Sequence, residues 1–343
     1  MKTEKIYYCE KLESTINFLP DKIKFCCDCS EGLGYEIKDK NVFNKKAFLK
    51  QRKEYINKLK KGDIPHECKG CINIKEKEVK KENIFKKLVK KGNNKAQIKQ
   101  IFVNHFKQCD CRCIYCSQEG YYQFEKENYS LVPIIKELYN AGLIDKKNVK
   151  VEFQGGNVSL LKEFNKLIEI LIDNECKHYS VLTNNIKYLD VLEKIPQENT
   201  QIYMVISLDS GTKEKYKEIK QVDAFDKVLE NIQRYSQNNK SIKFALKYVI
   251  IKDINDNKED LHNFLETVKP IENIHNITLD IDYRNTFMCK ETFFEIPKHW
   301  YELFEYAKVY CKENNIELFS IPYVEKVLAE GKAYSIINTS QND

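Results

Sequence analysis

Residues 99–116 read KQIFVNHFKQCDCRCIYC. The first half is a strand signal, because Ile101, Phe102 and Val103 form an apolar, partly β-branched run with no turn former inside it. The second half carries Cys109, Cys113 and Cys116 in the spacing C-x3-C-x2-C. Spacings this short let one loop wrap a single small group. Soft thiolates suit iron–sulfur clusters, and a site of only three leaves one iron without a protein ligand. Cys111 lies outside that spacing and is not expected to be a ligand. The competing reading of these cysteines is a zinc knuckle, or four thiols including Cys111 around one structural metal.

Downstream the pattern becomes regular. The β-rich runs KQIFVNHF, KVEFQGG, HYSVLTNN, QIYMVISLDS, SIKFALKYVII and NITLDIDYR are separated by helical stretches such as LVPIIKELYNAGL, LLKEFNKLIEILIDNE and AFDKVLENIQRYSQN. Strands that alternate with helices argue for βα units, a parallel sheet and an α/β fold. Six units close most of a barrel, a partial (β/α)6 barrel whose chemistry gathers at the C-terminal strand ends. A knuckle would not predict this train. A helix near 297–314 and the run IELFSIPYV follow as a C-terminal extension.

Upstream, residues 1–74 are cysteine-rich. STINFLPDKIKFCC reads as a hairpin turning at Pro20-Asp21, and residues 42–60 as a helix carrying Phe43, Phe48, Leu49, Ile56 and Leu59. The charge-dense stretch 75–97 reads as a solvated linker helix. These signals divide the chain into a small cysteine-rich domain (1–74), a linker (75–97) and the barrel with its extension (98–343).

Composition narrows the function classes. The chain has 343 residues, of which 42% are hydrophobic and 12% aromatic, enough for sizeable cores. No stretch reaches the roughly 20 apolar residues of a membrane span, and the N-terminus carries no apolar signal segment, so a cytoplasmic protein with no membrane partner is expected. The net charge is +6, yet only Arg52, Arg112, Arg234 and Arg284 are arginine. Nucleic-acid readers cluster arginine, so no nucleic-acid partner is expected. Ten of the thirteen cysteines precede residue 120. In a reducing compartment such clusters read as metal, iron–sulfur or redox groups rather than disulfides.

With its cysteine triad after a first strand and its train of βα units, the chain resembles the radical S-adenosylmethionine (SAM) superfamily over roughly residues 98–290. The resemblance implies a [4Fe–4S] cluster held by Cys109, Cys113 and Cys116, with SAM on the open iron and Tyr115 packing near the adenine. It also implies that the backbone of Gly155, Gly156 and Asn157 lies along the methionine amino group. Asn157 stands where the family carries Glu. Asn184, Ser207 and Asp209, at the ends of the third and fourth strands, are implied as SAM contacts, against ordinary strand-end capping. The implied activity is reductive cleavage of SAM to a 5′-deoxyadenosyl radical, served by an electron donor such as flavodoxin or ferredoxin.

Cys9, Cys26, Cys68 and Cys71 resemble an auxiliary-cluster region of the SPASM type, here placed before the barrel. The resemblance implies a second [4Fe–4S] cluster on these four, with Cys27 competing for the place of Cys26, and with zinc as the structural alternative. On the sixth strand, alternation puts Asp280, Asp282 and Arg284 on one face. That face either points inward at a hydrophilic ligand or belongs to a solvated edge strand. Asp209, Asp282 and Cys289 are the candidate catalytic groups, Cys289 as a hydrogen-atom donor against a small buried hydrophobe. Cys176 and Cys311 read as packing. The expected reaction is oxidative or cross-linking modification of a peptide or protein. The alternatives are redox-neutral epimerisation or dehydration of a sugar or small metabolite, and a non-catalytic zinc or iron–sulfur module.

Overall fold

The computed structural model describes residues 3–26, 33–37, 43–69, 71, 73–80, 98–116, 129–282, 293–320, 324–325 and 332–334. The chain divides into two compact units. The first comprises residues 1–107, 125–155 and 161–179, and the second comprises 108–124, 156–160 and 180–343.

The first unit runs β1 (Thr3–Tyr8), α1 (Glu10–Ser14), β2 (Thr15–Phe18), β3 (Lys22–Lys24), β4 (Gly34–Glu36), α2 (Lys45–Lys60), β5 (Lys75–Lys80), β6 (Gln100–Val103), α3 (Leu131–Asn140), β7 (Lys150–Phe153) and α4 (Phe164–Asp173). Its sheet has the order β7-β6-β2-β3-β4. The hairpin at Pro20-Asp21 forms as expected, with Phe18 opposite Ile23. β2 then lies parallel to β6, Thr15 opposite Gln100 and Phe18 opposite Val103. Ile16, Phe18, Ile23, Phe25 and Ile101 are fully buried, each contributing about 1.5–3 kcal/mol of transfer free energy. Phe25 also packs on Phe48 of α2 with ring centroids 5.1 Å apart.

Arg52 of α2 is 3% exposed and spends its guanidinium on backbone, with Nε donating to Leu12 O at 2.8 Å and Nη2 to Thr15 O at 3.1 Å. Those carbonyls lie at the junction of α1 and β2, so one buried cation fixes the entry to the sheet.

Residues 75–80, expected within a linker helix, form the strand β5 instead. It pairs antiparallel with β1 from Tyr8–Lys75 to Thr3–Lys80. The sequence KEKEVK alternates charge with period two, and an antiparallel partner can meet it with opposite charge, as Lys5 does Glu76 at 2.8 Å. Period-two charge on a two-stranded ladder is also what keeps an exposed strand soluble.

The second unit holds β8 (His178–Thr183, whose first two residues belong to the first unit), β9 (Gln201–Ser207), α5 (Lys213–Lys220), α6 (Phe225–Asn238), β10 (Ile242–Ile250), α7 (Lys258–Val268), β11 (Ile274–Ile281), β12 (Phe293–Glu295), α8 (Lys298–Glu313), β13 (Leu318–Phe319) and β14 (Lys332–Tyr334). Its sheet runs β8-β9-β10-β11-β13, and β12 pairs with β14 separately. β9, β10, β11 and β13 are parallel neighbours. The helices start on side-chain caps where the sequence supplies them: Thr212 accepts from Lys215 N, and Asn257 from Asp260 N.

Alternation holds on β9, where Ile202, Met204 and Ile206 are buried and Tyr203, Val205 and Ser207 are half-buried. On β11 the solvated-edge alternative fails. This strand lies between β10 and β13, and Asp280 and Asp282 are 0% and 1% exposed.

Candidate cofactor site

The cysteine loop belongs to the second unit and is held there by its backbone. α5 ends at Lys220, and its last carbonyls have no partner inside the helix. They accept instead from the loop, Arg112 N to Lys220 O at 3.1 Å and Ile114 N to Ile219 O at 3.0 Å. Alternate backbone N–H groups engage the helix end, so Cys111, Cys113 and Tyr115 share the intervening positions.

A second anchor is polar. Asp110 accepts from Asn157 Nδ2 at 2.8 Å and from Asn184 Nδ2 at 2.5 Å. Asn157 Oδ1 in turn accepts from Thr183 Oγ1 at 2.9 Å, and Asn157 N donates to Gln108 O at 2.7 Å. Asn157 is 1% exposed. Its side chain and its backbone N–H therefore clamp the cysteine loop, and the clamp suits an amide at the position where the resemblance implies Glu. An amide donates to Asp110, whereas Glu would repel it.

The third anchor is a buried ionic cluster. Tyr115 donates its hydroxyl to Asp209 Oδ2 at 2.5 Å, and Lys220 Nζ donates to the Tyr115 oxygen at 2.7 Å and to Asp209 Oδ2. Asp209 and Lys220 are 0% and 2% exposed. Asp209 Oδ1 accepts from Val249 N at 2.9 Å, and Asp209 holds a left-handed φ of 58°. Ser207 bonds Tyr115 as well. Burial pulls the Lys220 ammonium down, but the charges of Asp209 and Cys113 more than offset it, so its pKa is raised. Burial first, and then the Asp209 charge, holds the Tyr115 phenol well above its usual value.

The thiols follow from this frame. Cys111 is 1% exposed, and its sulfur accepts from Asn184 Nδ2 at 3.1 Å. It hydrogen-bonds both Cys109 and Cys113, which lowers those two thiols while its own pKa rises. Cys113 is brought down to about 6, by the bond from Cys111 first and, against burial, by the Lys220 charge. Cys109, Cys113 and Cys116 are half-buried. Three thiols on one loop, two of them eased toward the thiolate, fit a soft iron–sulfur centre. Cys111, set aside on spacing, lies in the site, and its sulfur is within 4.8 Å of ligand atoms from Cys109 and Asp110.

The remaining expected residues are placed as follows. Gly155 lies in the first unit with φ 114°, where a Cβ would stand 2.6 Å from Phe106 O and 2.7 Å from Asn104 Oδ1. Close packing on the segment after β6 therefore demands this glycine. Gly156 joins the second unit. Asp280 pairs with Lys247 at 2.6 Å, and Asp282 N bonds Ile250 O. Cys27 and Cys289 lie outside the described residues. In the first unit Cys9, Cys26, Cys68 and Cys71 line one pocket. Burial pushes Cys9 up and Cys68 up to about 11. Lys220 and Asp110 were not singled out in the sequence.

Residues 103–268 match the family model described as Radical SAM superfamily. The chain carries a radical SAM domain. A GTP 3′,8-cyclase of Clostridium perfringens (strain 13 / Type A) is 29% identical over 178 residues, 48% of this chain and 50% of that protein. A probable GTP 3′,8-cyclase of Pyrococcus horikoshii is 27% identical over 241 residues, 68% of this chain and 74% of that protein. The chain spans about half the length of the clostridial cyclases it matches. Among solved structures, Streptococcus suis SuiB bound to precursor peptide SuiA aligns at a TM-score of 0.53 with 13% identity, covering 82% of this chain and 64% of SuiB. SuiB bound to S-adenosylmethionine aligns at 0.52 with 15% identity, covering 70% and 55%. This likeness and the mostly parallel sheets fit a partial-barrel α/β fold for the radical SAM domain.

Proposed function

We propose that the protein is a radical SAM enzyme in which Cys109, Cys113 and Cys116 hold a [4Fe–4S] cluster. The observation that carries the reading is the anchored loop: three thiols in the spacing C-x3-C-x2-C on a segment whose backbone is fixed by the end of α5 and by the bonds of Asp110 to Asn157 and Asn184. When bound, the cluster and SAM supply reductive cleavage of the sulfonium and, from it, hydrogen-atom abstraction. The protein's own part is to orient. α5 holds the loop, Asp110 ties it to Asn157 and Asn184, and the Tyr115–Asp209–Lys220 cluster sets the loop's last turn. An electron donor of the flavodoxin or ferredoxin type is the expected partner, and a second [4Fe–4S] cluster on Cys9, Cys26, Cys68 and Cys71 is part of the same proposal.

For the substrate we propose a peptide or protein side chain. The fold likeness to SuiB supports this only at the level of architecture. Two of the four arginines are engaged within the protein, while Arg112, in the cysteine loop, is exposed. Arg52 is committed to backbone carbonyls, and Arg234 lies 3.7 Å over the Tyr188 ring and bonds Asp190. The names of the cyclase relatives favour a second reading, a purine nucleotide substrate.

Anaerobic protein reconstituted with iron and sulfide should convert SAM to 5′-deoxyadenosine under dithionite. Replacing Cys109, Cys113 and Cys116 together by Ala should abolish that conversion, and undiminished turnover would refute the assignment. Stimulation by GTP, with consumption of GTP, would replace the peptide reading by the nucleotide one.

A further inference from the structure

Lys220 is the last residue of α5, and it reaches the cysteine loop twice. Its carbonyl accepts from Arg112 N at 3.1 Å, and its ammonium donates to the Tyr115 oxygen at 2.7 Å. These two bonds bracket Cys113, the middle thiol of the C-x3-C-x2-C spacing.

Without that ammonium the setting of Cys113 would be adverse to negative charge. The carbonyl end of a helix carries roughly half a negative charge, and the loop docks on this end through Arg112 N and Ile114 N. A thiolate placed there meets the wrong pole. Asp209, 0% exposed, adds a full negative charge to the same surroundings. The loop's own charged side chains between Cys109 and Cys113 are Asp110 and Arg112, and both are exposed, so water and salt screen them. Lys220 is 2% exposed and escapes that screening. Its charge favours the anionic form of Cys113, and the Cys113 charge in turn favours the ammonium.

The ammonium is also held in place. Asp209 Oδ1 accepts from Val249 N at 2.9 Å, and its backbone oxygen accepts from Asn255 Nδ2 at 3.0 Å. β10 and the segment after it thus fix the carboxylate, and the carboxylate fixes Lys220 against Tyr115.

We infer that Lys220 raises the reduction potential of the cluster on Cys109, Cys113 and Cys116 by holding a buried positive charge beside Cys113, with Asp209 as its counterweight. The inference rests on the cluster reading above and adds a tuning group to it. Lys220 touches no reacting atom in this role and acts through Cys113 and Tyr115, so it is a positioning residue. An electron added to a thiolate-held centre makes it more negative, and a fixed cation nearby favours that state. Buried charges roughly 10 Å apart shift an equilibrium by about tenfold at the effective dielectric of a protein, and tenfold is about 59 mV for one electron.

The test is a potentiometric titration, followed by electron paramagnetic resonance, of the anaerobically reconstituted full-length protein without SAM. The signal of this cluster is the one missing from the Cys109→Ala/Cys113→Ala/Cys116→Ala variant. Asp209→Asn keeps the cation, drops its counter-charge and should be reduced at a higher potential than the wild type. Asp209→Asn/Lys220→Met differs from it by the cation and should fall about 59 mV below it, a tenfold change in the reduced-to-oxidised ratio at a fixed potential. Identical potentials for these two variants would make Lys220 a strut of the loop and nothing more, which overturns the inference. If Asp209→Asn holds no cluster, Lys220→Gln against Lys220→Arg reads the same charge. The Arg variant should keep the wild-type potential and the Gln variant should fall below it, and equal potentials again overturn the inference. A wild type without the signal overturns the cluster reading itself, and the inference with it.

Discussion

Replacing Lys220 by Met should unsettle the second unit more than any other single change in the cysteine frame. Lys220 and Asp209 are 2% and 0% exposed, so removing the ammonium leaves a carboxylate with no solvent and no counter-charge. Breaking a buried pair from one side costs about 3–5 kcal/mol. For a unit of this size each kcal/mol moves the melting temperature by roughly 2–4 °C, so Lys220→Met should lower it by about 6–20 °C. Asp209→Asn alone should cost less. It keeps an acceptor for Val249 N, and Lys220 keeps the Tyr115 oxygen. Combining the two removes both charges, and such replacements are often close to neutral. The double variant should therefore be more stable than Lys220→Met alone. The assay is differential scanning calorimetry of the four proteins as a double-mutant cycle. Melting of Lys220→Met at the wild-type temperature, or purely additive losses, would show that the pair is not the strut of the loop.

Two further outcomes follow from local geometry. His105 is 1% exposed, neither ring nitrogen has a partner, and burial pulls its pKa from 6.5 to about 4. A depressed folded pKa gives stability that is complete above pH 6.5 and lost as pH falls through 4, about 3 kcal/mol over that window. Urea titrations of wild type and His105→Phe should diverge across it, and parallel curves would contradict the burial argument. Gly155→Ala sets a Cβ 2.6 Å from Phe106 O at φ 114°. It should lower the chemical-denaturation free energy by more than about 1 kcal/mol, and a neutral result would mean that the turn relaxes freely.

The strands of the sheet were legible because each run carries its own signal. Six β-rich stretches named from alternation and apolar runs are β6 to β11. The hairpin at Pro20-Asp21 was legible from its turn residues. What stayed hidden is tertiary. Lys220 ends a charged helix, KEKYKEIK, and reads as a solvated cation. Only the fold places it 2.7 Å from Tyr115, 105 positions away. Cys111 was set aside because ligand spacing says nothing about which neighbours share a face. β5 was misread because dense charge suits a solvated helix as well as an exposed strand, and the choice belongs to β1.

The backbone bonds from Arg112 and Ile114 to the end of α5 have a bearing on how this segment tolerates change. A helix end gives the loop a ruler: two carbonyls at fixed spacing accept from alternate residues and so count them off. The exposed side chain at 112 is not part of that count, and its identity can drift without moving the thiols, whereas Ile114 packs against Ile219, Val249 and Ile251. The length of the segment cannot drift. One residue added between Arg112 and Ile114 would break the alternate spacing of the two amides that the ruler reads and displace Cys113 or Tyr115 from its place. The segment is strict in length and permissive at its exposed position, so an insertion here should be far more damaging than a substitution at Arg112.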